Sequence, residues 1–421
     1  MVTKGKSDPA APLAISSQHE TSRLTGADGL RALACLGVLT HHLYQRLNVD
    51  NAPDWLQSVH GFLIKGGVGV GVFFVLSGIL VSYKFWLAYF TKSSYPRIRT
   101  YLRRRASRIL PGFYAALAVS YVIADVTARN DGREIIEPVR RLIGGVTLTS
   151  SFHWVTFFPS ESNGPLWAIP MEAVCYVLLP LVMLGLFAIK RRGRFIGLGY
   201  WLAAIGLMAA LQQWIIGRFP MDGYWANLPD GARAWMPGRN PVGYFGQFAI
   251  GVLAAAVIVL WKIHKKGRRS WYFDGIAVVA ASGIVALFWM KRLPAEFDGS
   301  FSLQEQPYYY PTFALLVAAL AIGLGFSRLM WRVFDNPFLV FTAKYSFGIY
   351  LWHMLILDWM ARHFIPGFWY AGITDPLHHL EIVLVCIALS YVAAMLSWRL
   401  IERHFVEGRF SGRGVARDVT A

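Results

Sequence analysis

Ionisable side chains lie inside apolar stretches of this sequence, and two of them share one face of the first stretch. Arg31 and His42 are eleven residues apart, which is close to three whole turns of an α-helix and a rise of roughly 16 Å. An imidazole that is neutral near pH 7 accepts the proton of a hydroxyl, so His42 is a candidate general base. The alternative interpretation is a histidine that is hydrogen-bonded in the core or at the outer membrane interface.

Two arginines stand at the start of the third apolar stretch. Arg105 and Arg108 are three residues apart, a spacing that puts both guanidinium groups on one face of a helix. Guanidinium groups bind phosphate oxygens through two parallel hydrogen bonds, so the pair is a candidate phosphate site. The alternative is a set of basic anchors at the inner membrane surface, which is the preferred interpretation for Arg103 and Arg104.

One carboxylate lies in the fourth apolar stretch. Glu172 follows Leu166 by about two turns, counted from the outer side, and this count predicts a depth similar to that of His42. A carboxylate at such a depth needs a partner. We expect Glu172 to orient the imidazole and to stabilise its protonated form, as the acid of a catalytic triad does. A purely structural ion pair is the alternative.

The ninth and second apolar stretches supply further polar candidates. Tyr345, Ser346 and His353 lie in the ninth stretch, and Ser77 lies near the end of a glycine-rich run over residues 66–78 in the second. These four are candidate residues of a substrate channel. For His353 a hydrogen bond to a neighbouring helix is an equal alternative. Most of the glycines are expected to let helices pack closely.

The composition indicates which elements must position these residues. Hydrophobic residues make up 55% of the 421 residues, charged residues only 15%, and the mean hydropathy is +0.42. A soluble domain carries about 25% charged residues. So much apolar surface requires lipid to cover it, and the sequence predicts an all-α membrane helix bundle. The ten stretches long enough to span a membrane are 29–47, 67–90, 108–125, 166–189, 195–217, 241–262, 272–290, 310–327, 345–364 and 380–402.

The positive charges test this count. The net charge of +17 is distributed in short basic runs on alternate loops, a pattern that predicts about ten spans with both termini in the cytoplasm. Counting the weaker segment 139–158 as a span would move the later basic loops outside, so we expect it to be re-entrant or interfacial. A nucleic-acid-binding protein concentrates its basic residues on a polar surface, so no nucleic acid is expected as a partner.

The chain divides into a membrane domain and two tails. Residues 1–23 are polar and are expected to form a disordered cytoplasmic tail. Residues 24–405 form the predicted transmembrane domain, and residues 406–421 a basic cytoplasmic tail.

Six motifs, in the same order, resemble those of the acyltransferase family 3 membrane proteins. They are Leu24 to Ala34 with His41-His42, Gly69 to Gly78, Arg105-Ala106-Ser107-Arg108 followed by Pro111, Leu166 to Glu172 with Tyr176 and Pro180, Tyr345 to His353, and Ser397 to Glu402. They cover nearly the whole membrane region. Two positions depart from the pattern: Ala173 stands where members often have a second carboxylate, and Gly71 where many have aspartate. These changes argue against a role that needs paired acids.

The resemblance implies a membrane O-acyltransferase of the type that modifies O-antigens and exopolysaccharides. It implies that His42 is the catalytic histidine and that Arg105 and Arg108 contact acyl-CoA; we expect Arg31 to assist them and Glu172 to orient His42. The expected donor substrate is acetyl-CoA, the expected acceptor a glycan or lipid-linked sugar, and the expected location the bacterial cytoplasmic membrane, with membrane lipids as further partners. No bound cofactor or metal is expected. Since the sequence carries no fused hydrolase domain of the kind that some members have, direct transfer is expected.

Three other functions share some of these features. A transporter or flippase of glycolipid would also have buried charges and a central cavity. A membrane cytochrome would bind haem through His42 and His353. An intramembrane serine protease would require a Gly-x-Ser-Gly nucleophile, and here Val75 precedes Leu76-Ser77-Gly78 instead.

Overall fold

The computed structural model describes residues 24–218, 232–233, 236–290, 310–364 and 372–407, which form a helical bundle without strands. Its α-helices, numbered in chain order, are α1 Ala27–Tyr44, α2 Asp54–Leu63, α3 Gly69–Phe90, α4 Ile98–Asn130, α5 Pro138–Val146, α6 Ala168–Ala188, α7 Arg194–Arg218, α8 Pro241–Lys265, α9 Trp271–Met290, α10 Thr312–Phe326, α11 Met330–Phe334, α12 Pro337–Phe364, α13 Pro376–Ser397 and α14 Arg403–Val406. Short 3₁₀ segments are Ile64–Val68, Ser150–Phe152 and Gly164–Trp167, and a π-helical turn, Trp398–Glu402, joins α13 to α14. The predicted tail 1–23 and most of the tail 406–421 lie outside the described residues.

Each of the ten predicted stretches is helical in the structure, as α1, α3, α4, α6 to α10, α12 and α13. Within the described ranges, seven helical segments are long and apolar enough to cross a membrane. The seven do not include α1, α10 or α12. Helix α10 is apolar, but it has only 15 residues. The all-helical membrane architecture is therefore confirmed, while the count of ten and the cytoplasmic termini stay predictions. Helix α5 has 9 residues, too few to cross a bilayer, so the segment 139–158 forms no span.

A carboxylate far away in the chain fixes the start of α1. The first N–H groups of a helix have no partner within that helix. Asp335, just after α11, accepts hydrogen bonds from the backbone N–H groups of Gly26 at 2.7 Å and Gly29 at 3.3 Å. Asp274 of α9 accepts three more, at 2.8 to 2.9 Å, from the N–H groups at the start of α11. These contacts set the position of α1, which carries two of the candidate residues.

Glycines let α3 and α8 approach until their backbones touch. A Cβ atom on Gly78 would collide with the carbonyl oxygen of Phe248, and one on Gly251 with the carbonyl oxygen of Val75. The obstacle is backbone in both cases, so no side-chain rotation would relieve it. The expected packing role of the glycine-rich run is confirmed at Gly78.

Helices α1 and α12 pack side by side and run in the same direction. The Cys35 thiol donates a hydrogen bond to the carbonyl oxygen of Ser346 at 3.4 Å. The rings of His42 and His353 lie 5.3 Å apart, centroid to centroid. Since His42 follows Cys35 by seven residues and His353 follows Ser346 by seven, the two helices keep one register over about two turns.

The chain between α5 and α6 passes through the protein interior as irregular backbone. Ser150, Phe157 and Asn163 are buried. The side-chain amide of Asn163 donates to the hydroxyl oxygen of Ser120 at 3.1 Å and to the carbonyl oxygen of Leu351 at 2.9 Å. Because Leu351 lies in the middle of α12, α6 begins inside the bundle rather than at its surface.

Candidate active site

The last turn of α1 forms one end of the candidate site, which we call the histidine end (His41, His42 and His353). The Nδ1 atom of His42 lies 3.1 Å from the side-chain oxygen of Gln45, one turn further along the chain. An oxygen acceptor opposite Nδ1 favours the tautomer that is protonated there, which leaves the Nε2 lone pair of His42 to accept a proton. His41 has its Nδ1 hydrogen-bonded to the carbonyl oxygen of Ile64.

His353 faces His42 from α12. Its side chain is buried, with 1% exposure, and the two rings are inclined by 35°. The Nδ1 atom lies 2.9 Å from the carbonyl oxygen of Tyr350 and 3.1 Å from that of Ile349. Both carbonyl groups belong to α12 itself. Among the described contacts, His353 makes no hydrogen bond to a neighbouring helix, which is the alternative to a channel role. The channel role stays a prediction.

The opposite end of the site holds the three predicted arginines, Arg31, Arg105 and Arg108; we call it the arginine end. The guanidinium of Arg31 lies 3.7 Å from a carboxylate oxygen of Asp28. Arg31 interacts electrostatically with Arg105, and Arg108 with both of them. Like charges repel one another, and the carboxylates of Asp28 and Glu172 lie among these three. Three guanidinium groups carry more N–H donors than two carboxylates can accept, so the arrangement leaves donors for a polyanion such as a chain of phosphates.

The structure places Glu172 at the arginine end. The turn count predicts a position beside His42, and the structure does not place it there. Its carboxylate accepts hydrogen bonds from the Ser77 hydroxyl and the Tyr176 hydroxyl, both at 2.5 Å, and it interacts electrostatically with Arg31 and Arg108. Among the described contacts, none joins Glu172 to the imidazole. The physical reason is the start of α6 inside the bundle, which shifts every later residue toward the arginine end. A part for Glu172 in catalysis stays a prediction.

The other predicted channel residues lie apart from His42. Ser346 is buried, and its hydroxyl donates to the carbonyl oxygen of Ala343 at 2.9 Å. The ring of Tyr345 packs edge to face on Phe341 at 5.1 Å, and the ammonium group of Lys344 lies 5.2 Å from its centroid. Ser77 is held by Glu172. The structure thus brings His42 together with His353, and Ser77 together with Glu172 and the arginines.

Three residues at the site have no predicted role. The sequence could have indicated Gln45, because it follows His42 by three residues and therefore shares its helix face. Glu402 has 4% exposure, accepts from the Ser397 hydroxyl at 2.8 Å across the π-helical turn, and interacts electrostatically with Arg108. An acid within the last apolar stretch is itself a signal. Nothing in the sequence indicates Asn163, because it reaches α12 only through the path that the chain takes inside the protein between α5 and α6.

The chain resembles known proteins over most of its length. The model of acyltransferase family 3, described as an acyltransferase domain, matches residues 24–397. Nodulation protein 10 of Rhizobium leguminosarum bv. viciae is 25% identical over 413 residues, which cover 94% of this chain and 97% of that protein. No solved structure matches.

Two relatives come from Staphylococcus aureus. The protein SACOL0978 of strain COL, provisionally named an O-acetyltransferase, is 24% identical over 402 residues, or 91% of this chain and 57% of that protein. O-acetyltransferase OatA of strain NCTC 8325 is 24% identical over 402 residues, or 92% of this chain and 58% of OatA. This chain therefore spans little more than half the length of either staphylococcal protein.

Proposed function

Because the chain belongs to acyltransferase family 3, we propose that it transfers an acyl group, such as acetyl, from acyl-CoA to a hydroxyl of a glycan or lipid-linked sugar. Relatives named as O-acetyltransferases support O-acyl transfer. One observation carries the rest of the proposal: α1 has a guanidinium of the arginine cluster near one end and a candidate base near the other. That is the arrangement required by a donor with phosphates at one end and a thioester at the other.

The donor binds with its phosphates at the arginine end. Arg31, Arg105 and Arg108 form charge-assisted hydrogen bonds to the phosphate oxygens. The pantetheine arm then extends along α1 toward His42, which follows Arg31 by eleven residues, a rise of roughly 16 Å that is similar to the length of an extended arm. The basic loops support a cytoplasmic arginine end and ten spans. The bacterial relatives support a location in the bacterial cytoplasmic membrane.

The reaction takes place at the histidine end. Nε2 of His42 accepts the proton of the acceptor hydroxyl while the hydroxyl oxygen attacks the thioester carbonyl. The C–S bond of the thioester then breaks, and the departing CoA thiolate takes the proton from His42, which returns to its neutral form. Glu172 contributes from the arginine end, where its negative charge holds the guanidinium groups in position. The Ser77 hydroxyl donates a hydrogen bond to the carboxylate of Glu172 and so keeps that carboxylate in place.

The test uses membranes of the native host. The chromosomal gene is first deleted from this host, and each variant is then expressed in the deletion strain. Acetyl-CoA labelled in the acetyl group is added, and release of CoA is measured together with alkali-labile label in glycan and lipid fractions. We expect both with the wild-type protein and neither with His42→Ala. A glycolipid flippase would instead move glycolipid without releasing CoA. Mass spectrometry of glycans from the deletion strain then identifies the acceptor.

A further inference from the structure

His353 is a buried histidine that the proposed transfer step does not use. Its Nδ1 atom lies within hydrogen-bond distance of two backbone carbonyl oxygens, those of Ile349 and Tyr350. A carbonyl oxygen only accepts, so Nδ1 must carry the proton, and Nε2 is an acceptor with a lone pair. Nε2 is buried and has no hydrogen-bond partner within the described part of the chain. A buried acceptor without a partner calls for an explanation, and one explanation is a ligand that supplies a donor.

The direction of that lone pair follows from the other nitrogen. Because Nδ1 is turned toward carbonyl groups of its own helix, Nε2 lies on the far side of the ring, away from the backbone of α12. The ring beside it is that of His42, whose centroid is 5.3 Å away. Nδ1 of His42 is likewise turned to an oxygen, that of Gln45, so His42 also offers an Nε2 acceptor. Two neutral acceptors cannot hydrogen-bond to each other, so the donor that His353 requires must come from another group.

We propose that His353 determines acceptor specificity by accepting a hydrogen bond from a second hydroxyl, adjacent to the one that is acylated. This proposal rests on the proposed function, and it specifies the acceptor as a vicinal diol such as a sugar ring provides. His42 takes the proton of one hydroxyl, while His353 holds the neighbouring one. A simple alcohol satisfies only one imidazole and leaves the other a buried acceptor without a donor, which is costly.

The experiment compares two soluble probes, trans-1,2-cyclohexanediol and cyclohexanol, as inhibitors of acetyl transfer to the endogenous acceptor in the complemented membranes. With the wild-type protein, the diol is expected to inhibit about tenfold or more strongly than the monohydric alcohol. In His353→Asn, the amide keeps a donor near the Nδ1 position and removes Nε2. There we expect the ratio of the two inhibition constants to fall to near one, while the affinity for acetyl-CoA stays within twofold.

His363→Asn is the matched control. His363 is exposed, lies ten residues further along α12, and makes the same kind of bond to the carbonyl oxygen four residues earlier, that of Trp359, at 2.7 Å. It should keep the wild-type ratio. A merely structural role of His353 would weaken transfer and leave the ratio unchanged, which would overturn the proposal. Equal inhibition of the wild-type protein by the two probes, or inhibition by neither, would also overturn it. Absence of acetyl transfer in wild-type membranes would instead refute the proposed function.

Discussion

Removal of the two arginines of α4 is the sharpest test of the donor site. The variant is Arg105→Gln with Arg108→Gln, which keeps a polar side chain at both positions but removes both charges. A hydrogen bond to a charged group contributes about 1.5–3 kcal/mol, and about 1.4 kcal/mol is a factor of ten in affinity. Each arginine is therefore expected to account for a factor of about 10 to 100. Since the two side chains are neighbours, their effects are not fully additive, and a combined loss of about 100-fold or more is expected.

The same change should leave the fold intact. Removing two of the three guanidinium charges relieves their mutual repulsion, but it also removes the charge of Arg108 that faces Glu172 and Glu402. These two effects oppose each other, so we expect the unfolding temperature of the solubilised variant to stay close to that of the wild-type protein. A weaker affinity for acetyl-CoA then cannot be attributed to unfolding.

The assay is the binding of CoA to detergent-solubilised protein by titration calorimetry, together with the KM for acetyl-CoA in membranes. The control is Arg103→Gln, which removes one charge from an exposed position on the same helix. At physiological ionic strength an exposed charge is largely screened beyond about 8 Å, so the control should change the affinity by less than about twofold. An affinity of the double variant within threefold of wild type would refute the assignment, and so would an equal loss in the control.

Three further changes test other parts of the site. His42→Gln removes the proton acceptor, so kcat should fall by about 10²- to 10⁴-fold at unchanged KM for acetyl-CoA; a wild-type kcat would end the proposed mechanism. Glu172→Gln should keep kcat within about tenfold of the wild-type value, whereas loss of a triad acid lowers kcat by about 10⁴-fold. A loss of that size in kinetic assays would mean that Glu172 orients His42, as the sequence predicts. Gly251→Ala puts a Cβ against the carbonyl oxygen of Val75 and should cost about 1–3 kcal/mol of stability. Gly199→Ala, with no atom within 4 Å of its Cβ, should not lower the unfolding temperature in the same thermal-unfolding assay, because alanine favours a helix more than glycine does.

The helices that correspond to the ten predicted stretches follow from the apolar pattern alone. Each of the ten stretches is helical because a lipid-covered backbone must satisfy its own hydrogen bonds within the helix. The spacing of Arg31 and His42 on α1 also follows from the period of the helix. The exact ends do not, because they depend on distant partners such as Asp335, whose carboxylate binds the N–H group of Gly29. No local signal near α1 predicts that contact.

Depth within the bundle is the property that the sequence predicts least well. The turn count for Glu172 assumes that its helix begins at the outer surface. Instead the chain up to Asn163 runs inside the protein, where the side-chain amide is bound to the carbonyl oxygen of Leu351. Irregular backbone is tolerated at that depth only because protein groups, and not lipid, satisfy it. These partners come from α4 and α12, far away in the sequence, so a local pattern does not reveal them.

The departure from the family pattern at Gly71 has a packing counterpart in the structure. A Cβ atom at this position would lie 2.7 Å from the side-chain oxygen of Gln247 in α8, with the ring of Phe313 at 3.5 Å. The amide of Gln247, which is 1% exposed, thus occupies the space that an aspartate at position 71 would need. The two residues fit each other as a pair. The obstacle is the end of one side chain and not backbone, so an acid at position 71 would require Gln247 to take another rotamer, whereas glycine leaves its amide in place between α3 and α8.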